Sequence, residues 1–280
     1  MKKIILSNGV EMPIMAIGTN WMGYKELYSV MRAGFEAGFR AIDTARDYGN
    51  EDVVGAVLRD VLKDMGLHRS EIFITTKIGN GQQIKGNISE QIDISLKNLR
   101  TEYVDLWLMH WPYPNYFETT WQKMTDVYKT LKKVRAIGVA NYQVRHFEQL
   151  LKTGKELIPM VNQMEYHPLR TAIDIKDFMQ SHNIKLQAYA PLCRLIEPLK
   201  SSLILKNYSE KYHKSIGQII LRWHVQQGNV MPIFKSYKPT RFKENADIFD
   251  FELTEEEMDA IFGLNMDYKY HIESCNCPGY

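Results

Sequence analysis

Ile14-Met15-Ala16-Ile17-Gly18-Thr19-Asn20-Trp21-Met22-Gly23 begins with a short apolar run, Ile14–Gly18, that reads as a β-strand and then breaks into a polar turn. In a doubly wound dinucleotide-binding sheet that turn would carry Gly-x-Gly-x-x-Gly, whose backbone holds a pyrophosphate against a helix N-terminus. Gly18 and Gly23 do not have that spacing, and no other strand-to-helix turn of the chain has it. Outward from this first strand, the beat of short apolar strand and amphipathic helix recurs about eight times. The remaining strand candidates are Arg40–Asp43, Ile72–Lys77, Val104–His110, Ala136–Ala140, Met160–Gln163, Lys185–Tyr189 and Val230–Phe234. Between them Leu27, Val30, Met31 and Phe35 share one helical face, as do Val53, Val54, Val57, Leu58 and Val61, and again Ile216, Ile219, Ile220 and Trp223. This alternation predicts an α/β fold, a (β/α)8 TIM barrel of parallel strands, rather than an open sheet.

The ends of the chain depart from the beat. Lys3–Leu6 and Val10–Met12 flank Asn8-Gly9 and predict a β-hairpin with a two-residue turn, so that residues 1–12 plug the bottom of the barrel. Thr254 and Glu257 form a capping box opening a last helix, and residues 264–280 make an irregular tail placed near the active-site mouth. No linker rich in Pro, Gly or Ser divides the chain, which reads as one domain over residues 1–280.

Composition excludes several classes of function. The 280 residues are 24% charged and 45% hydrophobic, ordinary for a globular protein, and a chain of this size buries roughly 75% of its unfolded surface. A net charge of +2 gives no field to hold a polyanion, so nucleic acid is not expected as a partner. Apolar runs such as Ile14–Ile17 and Leu106–Met109 fall far short of the roughly 18–20 residues needed to cross a bilayer. Ser7-Asn8-Gly9 interrupts the N-terminal apolar run too early for a signal peptide, and the reading is a cytoplasmic protein. Three cysteines make no disulfide framework, and Cys275 and Cys277 have no His or Cys cluster to complete a metal site, so no metal is expected.

In a parallel barrel, chemistry gathers at the C-terminal strand ends. Three consecutive strands end in polar groups there: Ala41-Ile42-Asp43 in a carboxylate, Ile72–Lys77 in an ammonium and Leu106–His110 in an imidazole. The loop after the Asp43 strand adds the phenol of Tyr48 above the same mouth. Taken singly, a strand-ending Asp is usually a helix cap, a Lys usually snorkels and a His is usually structural. Together they have one physical use: a cation beside a phenol stabilises phenolate and lowers a pKa normally about 10, making Tyr48 a general acid–base.

With these residues in place the chain resembles the aldo-keto reductase family, from Met12-Pro13 to about Glu257. The matching stretches are Gly38–Ala45 with Tyr48-Gly49-Asn50-Glu51, Thr75-Thr76-Lys77, His110-Trp111-Pro112, Gly138–Asn141, Asn162–Pro168, and Lys235-Ser236 followed by Arg241 and Glu244-Asn245. The resemblance implies a monomeric barrel that holds NADPH without a Rossmann fold and reduces an aldehyde or ketone. Its catalytic tetrad falls on Asp43, Tyr48, Lys77 and His110, with Tyr48 protonating the carbonyl oxygen, Lys77 lowering the Tyr48 pKa, Asp43 orienting Lys77 and His110 positioning the carbonyl. Cofactor contacts fall on Thr19, Asn141, Gln163, Tyr189, Leu192, Lys235, Ser236, Arg241, Glu244 and Asn245. The residues agree on the cofactor, since the ammonium of Lys235 and guanidinium of Arg241 suit the 2′-phosphate of NADP(H) better than a ribose diol.

Four positions depart from the family pattern. Ala140 and Ala190 replace serines, Phe234 stands where a proline is usual, and Cys193 replaces a glycine. Each lost neutral hydrogen bond to the cofactor would cost about 0.5–1.5 kcal/mol, so looser binding is expected. The substrate walls fall to Trp21 and Trp111, with the aromatic loop after His110 and the tail residues Tyr268, Tyr270, His271 and Tyr280 around them. Such walls suit small aldehydes, ketones or keto-sugars, and the short loops disfavour a long steroid tunnel. Two alternatives stand beside the reductase: an NADP(H)-sensing binding module of the same fold, a use that resembles that of potassium-channel β subunits, and a metal-dependent barrel hydrolase, for which only Asp43 and His110 qualify as ligands.

Overall fold

The computed structural model describes residues 2–152 and 157–271. Two antiparallel strands, β1 (Lys3–Ile5) and β2 (Glu11–Pro13), pair with Ile4 opposite Met12. The turn between them has three residues rather than two. The Leu6 N–H donates to the Val10 carbonyl at 2.9 Å and the Gly9 N–H to the Leu6 carbonyl at 2.9 Å, closing Ser7–Gly9 as the loop. Gly9 sits at φ +84°, where a side chain is strained, so the Asn-Gly pair serves a turn with a bulge instead of a two-residue hairpin turn. The Asn8 side chain donates to the Arg135 carbonyl at 2.9 Å, just ahead of a barrel strand, which holds the hairpin at the N-terminal strand ends.

Eight parallel strands close the barrel in chain order: β3 (Ala16–Gly18), β4 (Ala41–Asp43), β5 (Phe73–Ile78), β6 (Leu106–Met109), β7 (Ile137–Ala140), β8 (Val161–Glu165), β9 (Lys185–Tyr189) and β10 (Val230–Phe234). β10 completes the circuit by pairing Ile233 with Ala16. Residues of both faces of these strands are buried, because one face fills the barrel and the other lies under the helices. The predicted strands are found with shifted ends. Ile14 is outside β3 because its N–H donates to the Lys2 carbonyl at 3.0 Å and so continues the hairpin ladder. Val104 makes only an isolated bridge to Val134, and His110 lies one residue past β6, although its N–H still donates to the Ile78 carbonyl at 2.9 Å.

The helices bury the faces that their periodicity predicts. In Tyr24–Glu36, Leu27, Val30, Met31 and Phe35 are buried; in Glu51–Met65, Val54, Val57, Leu58 and Val61 are buried while Val53 lies at the margin. Each fully buried aliphatic side chain contributes roughly 1.5–3 kcal/mol relative to exposure, which is what fixes each helix on the sheet. The capping box at Thr254 forms as expected, the Thr254 hydroxyl accepting from the Glu257 N–H at 3.3 Å and the Glu257 carboxylate from the Thr254 N–H at 2.9 Å. No described helix is long and apolar enough to cross a membrane. Cys275, Cys277 and Tyr280 lie outside the described residues.

Candidate active site

Strand register brings the polar strand ends together. Asp43, the last residue of β4, pairs with Thr75 of β5, two residues before Lys77, and Lys77 pairs with Leu108 of β6, two residues before His110. Tyr48 enters from the loop after β4, where Arg46–Tyr48 forms a single 3-10 turn closed by the Tyr48 N–H on the Ala45 carbonyl. Two buried side chains pin this loop. Glu51 accepts from the Thr76 hydroxyl at 2.7 Å, and the Asn50 amide donates to the carbonyls of Thr19 at 2.9 Å and Met22 at 3.1 Å.

At the centre lies the Lys77 ammonium, fully buried. Its Nζ donates to Asp43 Oδ1 at 2.7 Å, to the Thr44 carbonyl at 2.8 Å and to Tyr48 Oη at 3.2 Å, which uses all three of its protons. Burial disfavours its charge, but Asp43 and Tyr48 outweigh that and hold the ammonium above lysine's ordinary range. The Tyr48 phenol behaves differently from the expectation. Lys77 does pull its pKa down, yet burial is the larger effect and Asp43 and Asp47 add to it, so the phenol stays above its ordinary value and keeps its proton near neutral pH. Burial also lowers His110, with Lys77 acting the same way and Asp47 opposing, so the imidazole is neutral at neutral pH.

Around this centre the amides are committed by their partners. Gln163 Nε2 donates to Asp43 Oδ2 at 2.8 Å and to Gln187 Oε1 at 2.8 Å, which fixes its amide orientation, since the carboxylate can only accept. Asn141, at φ +64° in the left-handed region that Asn tolerates, donates from Nδ2 to the His110 carbonyl at 3.0 Å and accepts from the Tyr189 hydroxyl at 2.9 Å. Thr19 is buried, its hydroxyl donating to the Asp43 carbonyl at 2.9 Å. Sequence reasoning did not single out Gln187, Thr44 or Asp47, which touch Gln163, Lys77 and His110, nor Gly79, which borders Asp47; an acid directly preceding Tyr48 was the one visible signal.

The other expected cofactor residues follow β9 and β10. Lys235 and Arg241 are exposed after β10, with Ser236 between them in sequence, and two cations with a hydroxyl form a donor set suited to a phosphate monoester. Each already has a protein contact: Lys235 Nζ donates to the Asn20 carbonyl at 3.1 Å, and Arg241 Nη1 donates to Glu244 at 2.8 and 2.6 Å. Glu244 further accepts from the Ser215 hydroxyl at 2.8 Å, Asn245 is buried, and Leu192 packs at the edge of the core. Cys193 lies at φ +43°, followed by Arg194 at +49° and Leu195 at +50°, so this segment runs through the region where glycine is favoured.

Of the expected substrate walls, the Trp111 ring stacks on His110 with centroids 6.2 Å apart. Trp21 is largely exposed, with the Lys235 ammonium 5.7 Å from its ring centroid. The tail reaches the same end of the barrel: the backbone N–H groups of Tyr270 and His271 donate to the Glu165 carboxylate at 2.6 and 2.9 Å, and the His271 ring meets Tyr189 at 5.8 Å.

A model of the Aldo/keto reductase family matches residues 14–194 and 197–265. The chain is 42% identical over 263 residues to glyoxal reductase of Bacillus subtilis, covering 94% of this chain and 92% of that protein. It is 34% identical over 265 residues to methylglyoxal reductase DkgA of Escherichia coli, covering 94% and 93%. Among solved structures, an aldo-keto reductase of Bombyx mori in complex with NADP superimposes with a TM-score of 0.89 at 32% identity, covering 96% of this chain and 94% of that one. Its closed barrel, its strand-end residues and these matches together make the chain a member of the aldo/keto reductase family.

Proposed function

We propose that the protein reduces small aldehydes and ketones with NADPH, with Tyr48 as the proton donor and small 2-oxoaldehydes as the first substrates to consider. The observation that carries this reading is the buried Lys77 ammonium bridging the Asp43 carboxylate and the Tyr48 hydroxyl. When bound, the cofactor supplies a hydride from nicotinamide C4 to the carbonyl carbon. Tyr48 gives its phenolic proton to the carbonyl oxygen, which yields the alcohol. The raised Tyr48 pKa suits this direction, because a donor must arrive protonated. As the proton leaves, Lys77 at 3.2 Å meets the forming phenolate, and Asp43 keeps Lys77 charged inside a buried site. Such a positioned acid supplies about a hundredfold to ten-thousandfold in rate.

The polar groups fit the cofactor's own pattern. With both Gln163 amide protons engaged, Gln163 Oε1 remains to accept from a carboxamide NH2, while Asn141 Nδ2 retains one proton to donate to the carboxamide oxygen. Tyr189 would stack on the nicotinamide, Lys235, Ser236 and Arg241 would hold the 2′-phosphate, Glu244 and Asn245 would meet the adenine, and Thr19 and Leu192 would line the site between. Trp111 and Trp21 would wall the substrate. Similarity to proteins named glyoxal and methylglyoxal reductases supports the substrate class.

The test follows NADPH consumption with glyoxal, methylglyoxal, a simple aldehyde, a ketone and a keto-sugar, with NADH in parallel, and identifies the alcohol formed. Turnover strongest with the 2-oxoaldehydes and with NADPH is the expected result. Tight NADPH binding with no carbonyl reduced would overturn the reading in favour of a cofactor-sensing module.

A further inference from the structure

Asp47 has no place in the chemistry above, yet it reaches the one residue beside Tyr48 that would meet the carbonyl. Its carboxylate Oδ2 lies 3.4 Å from His110 Nδ1, a buried nitrogen with no aligned hydrogen-bond partner. The approach is built into the fold at Gly79, just after β5: a Cβ there would fall 2.0 Å from each Asp47 oxygen, so any side chain would evict the carboxylate. His110 is held at both its backbone and its ring. The His110 N–H donates to the Ile78 carbonyl, its carbonyl accepts from Asn141, Trp111 stacks on one face, and Tyr48 meets it edge-on with centroids 5.8 Å apart.

A carboxylate can only accept, so it can meet Nδ1 favourably only when Nδ1 carries a proton. We infer that Asp47 is a positioning residue that keeps the His110 proton on Nδ1, leaving Nε2 as the nitrogen for the substrate oxygen: an acceptor while the ring is neutral, a donor once a second proton binds. The inference rests on the reductase reading for its catalytic consequence but not for the tautomer. While His110 is neutral, Tyr48 alone donates to the carbonyl oxygen; when His110 is protonated, the oxygen gains a second donor. Reduction therefore quickens as pH falls through the His110 titration. The charged and titratable groups facing the ring are Asp47 and Tyr48 from the 3-10 turn, Asp43 from β4 and Lys77 from β5, with the amide of Asn141 from β7. Of these the two carboxylates favour the imidazolium and Lys77 opposes it, while burial works against the charge.

The tautomer is read first, by two-bond 1H–15N NMR of the protein labelled at histidine, with the His110 signal identified by its loss in His110→Gln. The native protein at neutral pH should show the proton on Nδ1. In Asp47→Asn the amide can turn to donate to Nδ1, so the proton should move to Nε2; the neutral ring then donates to the carbonyl oxygen itself, and the rise of kcat/KM for carbonyl reduction toward low pH should flatten. Gly79→Ala keeps the carboxylate but displaces it, and should flatten the profile in the same way. A native His110 protonated on Nε2, or unchanged profiles in both variants, overturns the inference. The NMR result needs no turnover, so activity surviving in Tyr48→Phe would sink the reductase mechanism and leave the tautomer assignment standing.

Discussion

Replacing Lys77 with methionine keeps most of the side-chain volume and removes one charge from the centre of the site, which makes the energetic role of the Asp43–Lys77 pair measurable. In the native protein Asp43 is 3% exposed and is met by Lys77 at Oδ1 and by the Gln163 amide at Oδ2. Lys77→Met leaves the carboxylate buried with the amide alone, and stranding one partner of a buried ion pair costs roughly 3–5 kcal/mol. For 280 residues, at about 2.1 cal/mol/K of unfolding entropy per residue, this corresponds to a fall in Tm of roughly 5–8 °C. Adding Asp43→Asn removes the stranded charge and should recover most of the loss, even though the double variant makes fewer polar contacts than the native protein. Urea unfolding and thermal melts of the native, single and double variants decide it. A loss below about 1 kcal/mol in Lys77→Met, or a double variant no more stable than the single, refutes the reasoning.

Arg241→Ala should weaken NADPH binding by roughly tenfold to a hundredfold, the worth of a charge-assisted contact, and leave NADH binding nearly unchanged, as measured by fluorescence titration of both cofactors. Ala140→Ser restores a hydroxyl at the end of β7 and should tighten NADPH binding by about twofold to tenfold; an unchanged constant would show that this departure does not loosen the cofactor. His224 is fully buried against the Pro191 carbonyl, and burial pushes its pKa down to about 3. Its neutral form is the one the fold accommodates, so its contribution is full above about pH 6.5 and is lost as pH falls from there toward 3, by up to roughly 5 kcal/mol. His224→Gln should flatten the acid limb of stability measured by urea unfolding across that range.

Those residues whose role depends on strand position were legible in the sequence, and those whose role depends on packing were not. Asp43, Lys77 and His110 stand at the ends of apolar strands, and parallel register alone carries such ends to one mouth. Gln163 reads as a strand residue, but its bond to Asp43 crosses 120 residues and depends on barrel closure. The hairpin shows the limit of local signals: Asn8-Gly9 marks a turn, but its length is set by which carbonyl Leu6 and Gly9 reach. The Tyr48 pKa shows the same limit for electrostatics. A neighbouring lysine is visible in the sequence pattern, whereas the burial that outweighs it is a property of the assembled site. The Trp21 ring lies beside Lys235, whose ammonium donates to the Asn20 carbonyl, a contact across 215 residues that no local pattern shows.

The central claim is that Tyr48 gives the proton that turns a carbonyl into an alcohol. Single-turnover reduction of methylglyoxal at saturating NADPH, comparing the native protein with Tyr48→Phe, tests it most directly. The account predicts a fall of at least about a hundredfold in the rate of the chemical step with NADPH binding retained. A rate within about threefold of the native value would contradict it, because general-acid catalysis of even modest strength contributes more than that.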